Sequence, residues 1–416
     1  YKKGKEQEAK EHYQKAIEKG SKILKYHPTS SYVDDALYIV GVAHLRVGDA
    51  VRAQRKFQEL IRYFPTSPYA AEAHLYLAKA YLDANKPREA LAELTEAVAR
   101  NPRLEPRALL YKAQALVRAG EPAEAVKAIE ELLKKYPRSE NKVEALLAGA
   151  EAAKEAGLYE KGVRFLEEVL KEYMGLEERK RAQVLLGDIY LAWGKHAEAL
   201  EAYESLDLEP GDTLWWPLEL RKGRAKEGLG DAEAAKALYR KVAEEARKPE
   251  LRAEAHYWLG RLLERQDSVS AAKEAYEKAV KGEGEFAAKA ARRLQALRSW
   301  EELADSTSVW ALYRKAEIAW LYLDKPELAD SLWRVVAEKA KGDYAPKALY
   351  ALAYTRLWAG DTAGAKPFYE ELLKNYGGTI YARYARLYLG TRLGRDSLPE
   401  APGSGAPTSG AEDSGG

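Results

Sequence analysis

A repeated helical hairpin pattern constrains the fold of this chain more than any other feature. It is clearest in residues 34–65, where Gly41 is followed twelve residues later by another small residue, Ala53. The large Phe57 comes four residues after Ala53, and Leu60 follows three residues later. Both halves have the spacing of one helical face, so they predict two helices joined by a short turn. Small residues let two antiparallel helices cross closely, and a larger side chain there is expected to overpack the contact.

The same pattern returns along the chain until nine copies are in register. Successive small residues from Gly41 to Gly260 are 35, 36 or 37 residues apart. Because such a repeat cannot bury its apolar face alone, each copy must stack on its neighbours. The sequence therefore predicts an all-α solenoid of about nine helix hairpins with a C-terminal capping helix. The small residues of the first helices are Gly41, Ala78, Ala113, Ala150, Gly187, Gly223, Gly260 and Ala353, and the eighth copy is identified by Ala329, Trp333 and Val336 in its second helix.

The pattern also predicts where the repeats are interrupted and where they end. Residues 286–308 interrupt the register, and we expect one helix, another short helix near Trp300 and a polar stretch there. From Asp396 onward the chain has acidic but no basic residues and too few apolar residues to fold. The predicted segments are a partial N-terminal repeat with a basic helix (1–29), an array of seven repeats (30–285), an irregular helical junction (286–308), two repeats with the capping helix (309–393) and a disordered acidic tail rich in Ser, Gly and Pro (394–416).

Composition and motifs exclude several functional classes. The 67 basic and 65 acidic residues give no overall field that would select nucleic acid. The chain has no cysteine, which excludes disulfides, thiolate metal sites and cysteine nucleophiles. It contains neither a His-Glu-x-x-His pair for zinc nor a Gly-x-x-x-x-Gly-Lys phosphate loop. We therefore expect no enzyme activity, no cofactor and no metal site.

The register resembles that of the tetratricopeptide repeat family, and the resemblance covers residues 33–393. The repeat of that family is 34 residues long, slightly shorter than the spacing found here. The resemblance implies a right-handed superhelix in which the first helix of each hairpin lines a concave groove. It also implies a binding scaffold for other proteins and not an enzyme.

The first two repeats resemble a particular branch of that family, the bacterial envelope lipoproteins related to BamD and to the Tol-Pal-associated periplasmic repeat proteins. The resemblance lies in residues 25–82, above all in the linker Pro-Thr-Ser-x-Tyr, which is used twice. It implies a periplasmic, outer-membrane-anchored scaffold for outer-membrane protein assembly or for coordination of envelope machinery. The chain would then contact the membrane only through a lipid anchor upstream of Tyr1. Two alternatives stay open: a cytosolic adaptor of the same fold, and a module that recruits substrates for a partner enzyme.

The resemblance also predicts which residues line the groove. With the small residue of each first helix counted as position eight, positions two, five, nine, twelve and thirteen face the concave side. Apolar and aromatic residues with a few cations there suit an extended peptide or a helix of a partner protein. Each of them could instead pack between adjacent hairpins. The predicted groove residues are Tyr38, Val42, Leu45, Leu75, Lys79, Leu82, Leu110, Gln114, Tyr257, Arg261, Arg314, Tyr350, Tyr354 and Trp358.

Overall fold

The computed structural model describes residues 2–173 and 175–391, with only the backbone described at residues 2–6, 176, 390 and 391. All regular structure within these ranges is helical, so the predicted all-α class is confirmed. The chain divides into two units, unit 1 up to Leu238 and unit 2 from Tyr239. One helix, α13 (Ala232–Glu245), contains the division. The predicted acidic tail (394–416) lies outside the described residues.

Unit 1 is a stack of helix hairpins that follows the predicted register. Each first helix packs against the second helix of its own hairpin and against the first helix of the next one. A short 3-10 turn at Pro102–Leu104 introduces the sixth helix. The helices are α1 (Lys2–Tyr26), α2 (Val33–Arg46), α3 (Ala50–Tyr63), α4 (Ala70–Asp83), α5 (Pro87–Arg100), α6 (Glu105–Arg118), α7 (Pro122–Lys135), α8 (Lys142–Glu155), α9 (Tyr159–Glu172), α10 (Leu176–Trp193), α11 (His196–Glu204) and α12 (Trp215–Gly228).

Unit 2 contains three further hairpins and two single helices. The hairpins are formed by α14 with α15, α17 with α18, and α19 with α20, while α16 packs on α14 and α15. The last helix, α21, packs on α19 and α20 and covers them as the predicted capping helix. The bounds are α14 (Pro249–Arg265), α15 (Val269–Val280), α16 (Glu285–Glu302), α17 (Val309–Leu321), α18 (Pro326–Lys339), α19 (Tyr344–Trp358), α20 (Thr362–Asn375) and α21 (Ile380–Thr391).

The segment expected to hold two short helices differs from that expectation. A single helix, α16, runs from Glu285 to Glu302 and includes Trp300. No Gly or Pro stands between its ends, so no residue interrupts the helical hydrogen bonding. The wider division of the chain into segments, with a junction at 286–308, stays a prediction.

The hairpins close through one recurring turn with a left-handed residue. At Gly48 the backbone φ is +85°, and the next N–H, that of Asp49, donates to the carbonyl of His44, five residues back, at 2.8 Å. This geometry ends the first helix and reverses the chain within three residues. Asn and Asp replace Gly at three turns, because their short polar side chains tolerate a positive φ. In the described residues this position is held by Gly48, Asn85, Gly120, Gly157, Gly194, Gly230, Asp267, Asp324 and Gly360.

The turn after α17 is longer than the others. It comprises residues 322–325, and the N–H of Lys325 donates to the carbonyl of Ala319, six residues back instead of five, at 3.0 Å. The extra residue moves the register of α17 by one position relative to the sequence count. Residues of α17 counted back from Ala329 are therefore assigned to the wrong positions.

Close contact between a small and a large residue holds each hairpin together. A Cβ atom added at Gly41 would lie 2.7 Å from Cε1 of Phe57, and one added at Gly260 would lie 2.6 Å from Cε1 of Tyr276. Both rings are fully buried. The small residues of the register are therefore required by the approach of the two helices, as the spacing predicts.

A larger residue at Gly41 should loosen the first hairpin. We expect Gly41→Val to lower the free energy of unfolding by about 1–3 kcal/mol, because its side chain overlaps the ring of Phe57. The matched control is Gly211→Val, since nothing lies within 4 Å of a Cβ added at Gly211. The midpoint of chemical denaturation, followed by circular dichroism, measures both. Equal midpoints for the two variants would contradict the packing argument.

A largely buried ionic network joins three helices and one turn of unit 2. Arg293 of α16 donates from Nε and Nη2 to the two carboxylate oxygens of Glu264, at 2.7 and 3.1 Å, and from Nη1 to Asp324 at 3.0 Å. Tyr276 donates its hydroxyl to Glu264 at 2.9 Å, and burial followed by the charge of Glu264 raises the pKa of this phenol. Arg293 and Glu264 are both buried. The network therefore ties α14, α15 and α16 to the turn after α17.

Removal of one charge from this network should cost more than removal of both. We expect Arg293→Met to lower the free energy of unfolding by about 3–5 kcal/mol, because Glu264 is left buried without its cation. The double variant Glu264→Leu with Arg293→Met should recover most of that loss, since no uncompensated charge remains. Thermal denaturation of the two variants measures the difference. A double variant no more stable than the single one would contradict this account.

Candidate functional site: the inner faces of the two units

The first helices of unit 1 form one continuous surface. Each of them contacts the first helix of the following hairpin, from α2 through α4, α6, α8 and α10 to α12. We call the surface that these six helices share the inner face of unit 1. It corresponds to the groove that the sequence predicts.

The structure divides the predicted groove residues of unit 1 into two groups. Leu75, Leu82 and Leu110 are buried, and Leu75 and Leu82 belong to a core cluster with Leu104 and Ala108 of the next hairpin. These three leucines therefore pack between hairpins, which is the competing interpretation. The half-buried group is Tyr38, Val42, Leu45, Lys79 and Gln114.

Tyr38 contacts both an aromatic and a charged side chain. Its ring stacks on that of Tyr69 with centroids 4.7 Å apart, and its hydroxyl donates to Glu72. Burial, followed by the hydrogen bond to Glu72, raises the pKa of Tyr38. Farther along, the guanidinium of Arg107 lies over the ring of Tyr76 at 5.2 Å. The sequence count selected Tyr38 but missed Tyr69, which belongs to the linker Pro-Thr-Ser-x-Tyr.

A cavity of about 290 Å³ opens on the inner face between α8 and α10. Its side chains occupy positions five, nine, twelve and thirteen of α8 and two, five, six and nine of α10. These are largely the positions that the resemblance assigns to the groove, in two repeats for which the sequence analysis named no residue. The same count, extended to these repeats, would have found them. The lining residues are Leu147, Glu151, Lys154, Glu155, Arg181, Val184, Leu185, Asp188 and Leu214.

The charged side chains of this cavity differ in whether they have hydrogen-bond partners. Asp188 accepts hydrogen bonds at Oδ1 from the hydroxyl of Tyr203 and from Nε of Arg221, both at 2.7 Å. Tyr203 is fully buried, and burial followed by the charge of Asp188 raises its pKa. Asp188 is thus a fixed acceptor. In the described parts of the chain, no hydrogen bond or ion pair engages the side chains of Glu151, Lys154, Glu155 and Arg181.

In unit 2 most of the predicted groove residues have structural partners. Tyr257 and Tyr350 are buried, and Arg261 pairs with Asp324 at 2.9 Å. Tyr354 is half-buried, whereas Trp358 is 69% exposed. Tyr257 and Tyr350 therefore pack between helices, and Trp358 projects into solvent.

The extra residue in the turn after α17 changes which of its side chains face inward. With the register moved by one, Tyr313 and Glu317 hold positions five and nine, and the predicted Arg314 stands beside them. Arg314 is exposed, and its Nη1 pairs with Glu317 at 2.6 Å. The sequence analysis missed Tyr313 and Glu317 because nothing in the residue pattern signals the four-residue turn.

A second, much smaller cavity of about 20 Å³ lies beside Tyr313 and Glu317. Burial, followed by the charge of Glu317, raises the pKa of Tyr313. The indole Nε1–H of Trp333, which is buried, has no hydrogen-bond acceptor among the described residues. The lining residues are Tyr313, Glu317, Trp320, Leu321, Trp333, Ala351, Tyr354 and Thr355.

The described residues were not found to offer a metal site or a membrane-spanning helix. Residues 2–173 and 175–391 contain no group of three or more His, Asp and Glu side chains placed to hold a metal ion. No helix in the same residues combines the length and the apolar character needed to cross a membrane.

Sequence models of known families match most of the array. Models described as tetratricopeptide repeat match residues 77–140, 147–213, 220–288 and 347–379, together more than half of the chain. A model described as outer membrane lipoprotein matches residues 33–108. A search of curated protein sequences found no match.

One solved structure is similar in fold, and two further ones match with TM-scores below 0.5. A tetratricopeptide repeat protein from Parabacteroides merdae is 19% identical with a TM-score of 0.51, over 64% of this chain and 98% of that one. Human IFIT1, a dimer with m7Gppp-AAAA, is 20% identical with a TM-score of 0.45, over 72% of this chain and 71% of that one. A thermophilic tetratricopeptide repeat protein from Thermus thermophilus is 22% identical with a TM-score of 0.36, over 46% of this chain and 98% of that one.

The hairpins, their recurring turn and the family matches lead to one assignment. Tetratricopeptide repeats are protein-interaction scaffolds and are generally not catalytic. The chain belongs to the tetratricopeptide repeat family.

Proposed function

We propose that this protein is a non-catalytic scaffold that binds an extended peptide or a helix of a partner protein on the inner face of unit 1. The observation that carries the proposal is the cavity of about 290 Å³ between α8 and α10, whose lining includes four charged side chains without partners among the described residues. Charged groups on a surface that neither pair with each other nor support the fold are available to a ligand. They contribute selectivity and association rate more than affinity.

The chemistry of the cavity suits a peptide that carries both polar and apolar groups. Lys154 and Arg181 can pair with acidic groups, and Glu151 and Glu155 can pair with basic ones. Val184 and Leu214, which are half-buried, can cover an apolar side chain of the partner. Because helices position all of these groups, binding needs little ordering of the scaffold itself.

The site of action that we propose is the bacterial cell envelope. Its support is the match of residues 33–108 to the outer membrane lipoprotein model. We place the protein in the periplasm, anchored at the outer membrane, with a role in outer-membrane protein assembly or in coordination of envelope machinery.

Site-specific photocrosslinking tests the binding face. A photoreactive phenylalanine analogue at Glu151 or Arg181, both exposed at the cavity, should crosslink a partner protein in living cells. The matched control is Glu160, which is exposed on the second helix α9 and does not line the cavity. Crosslinking of the same proteins with the same yield from Glu160 would contradict the proposed face.

The proposed location is tested on the full-length protein in its native host. Cell fractionation should recover the protein with the outer membrane, and the intact mass of the recovered chain should show a processed N-terminus. Recovery of an unprocessed chain from the cytosol would refute the envelope location while leaving the binding face to the crosslinking experiment.

A further inference from the structure

The small cavity of unit 2 is built from aromatic rings around one carboxylate. Rings of Tyr313, Trp320, Trp333 and Tyr354 line it, and Glu317 is the one ionisable acid in the lining. We call this site the aromatic pocket. Glu317 is 8% exposed, so its charge lies in a largely desolvated place where it interacts strongly with any nearby cation.

This combination favours a cationic ligand group. The faces of Trp and Tyr rings attract cations, and the attraction increases when the site is shielded from water. A carboxylate adds a charge-assisted hydrogen bond to the same group. One feature favours a different occupant, because the free indole N–H of Trp333 needs an acceptor. A neutral hydroxyl or amide could serve Trp333 and Glu317 together, but it would gain little from the remaining rings.

The size of the pocket selects among cations. Its volume of about 20 Å³ is close to the space that one water-sized group needs. An ammonium head is such a group, whereas the planar guanidinium of arginine is larger and carries its donors in a wide fork. The pocket therefore matches the terminal ammonium of a lysine side chain.

The mouth of the pocket is apolar and partly exposed. Leu321, which lines the pocket at the end of α17, is 38% exposed, and Tyr354 of α19 is half-buried. An aliphatic lysine stem can lie along such a surface while its ammonium reaches the carboxylate. Adjacent apolar residues of the same peptide can cover the rest.

The protein already supplies a cation to Glu317 from outside the pocket. Arg314 pairs with it at 2.6 Å, but the side chain of Arg314 is half exposed and does not line the cavity. Because the Arg314 side chain is half exposed, its guanidinium can return to water when a ligand cation replaces it at Glu317. Arg314 is thus an internal competitor for the carboxylate.

From these observations we propose that the aromatic pocket binds the ammonium group of a lysine side chain in an apolar segment of a partner protein. The site is separate from the cavity of unit 1 and adds a specificity determinant to the scaffold. The two residues of one ion pair then have opposite effects on ligand binding. Glu317 holds the ligand, and Arg314 opposes it.

The test uses the full chain labelled with ¹⁵N at its tryptophan indoles. The probe is the peptide acetyl-Gly-Leu-Lys-Leu-Gly-amide, and three further peptides carry Arg, Gln or norleucine in place of Lys. The resonances of Trp320 and Trp333 are assigned from the variants Trp320→Phe and Trp333→Phe. We expect the lysine peptide to shift both resonances and to bind about tenfold more tightly than the other three.

Two variants and a control separate the roles of the ion pair. Glu317→Gln should weaken binding of the lysine peptide about tenfold, and Arg314→Gln should strengthen it about two- to fivefold. Arg298→Gln removes an ion pair of unit 2 that does not line the pocket, that of Arg298 with Glu277, and should leave the affinity unchanged. Circular dichroism verifies that each variant is folded.

Three results would overturn the proposal. They are an absence of shifts at Trp320 and Trp333, equal binding of the glutamine or arginine peptide, and an affinity that does not respond to Glu317→Gln in a folded protein. None of these results depends on cellular location or on the cavity of unit 1, so this inference and the proposed function fail separately. Binding of the glutamine peptide in preference to the lysine peptide would assign the pocket to a neutral group that bridges Glu317 and Trp333.

Discussion

The contact between a small residue of the first helix and a large residue of the second sets the geometry of every hairpin. Gly41 under the ring of Phe57 and Gly260 under the ring of Tyr276 bring the helices closer than any pair of larger residues would allow. The left-handed turn then has to reverse the chain within three residues. Because the contact and the turn keep the same separation in sequence, the stack repeats with little variation. The register therefore fixes which positions form a surface of this stack, whichever side chains occupy them.

Whether a charged side chain has a partner depends on how well it is shielded from water. Where hairpins pack tightly, as around Glu264 and Arg293, each charge has a bidentate or multiple partner. Where the inner face of unit 1 opens, Glu151 and Arg181 are exposed and have no partner among the described residues. An unpaired buried charge would be costly, whereas an exposed one is nearly free in water. The paired charges therefore stabilise the stack, and the unpaired ones are available for recognition.

The two sites differ in their chemistry although both are built on helix hairpins. The cavity of unit 1 is wide and mostly charged, whereas the aromatic pocket of unit 2 is narrow and has a single carboxylate among rings. A repeat scaffold permits this difference because each hairpin requires residues of suitable size only at its packing positions. The positions that face inward are left free to vary.

The sequence by itself determined the helix hairpins, their number and their register, because small and large residues at fixed spacing report the contact that forms each hairpin. It also indicated the inner-face positions, and the same count covers most of the cavity lining from Leu147 to Asp188. Only the tertiary structure decided which of those positions are free. Leu75 is buried because the next hairpin covers it, and Tyr350 because the capping helix α21 covers it. Both depend on how closely neighbouring helices stack, which spacing does not encode. Only the structure, too, showed the longer turn after α17, where one additional backbone residue puts Tyr313 in the position counted for Arg314 and brings Glu317 to position nine.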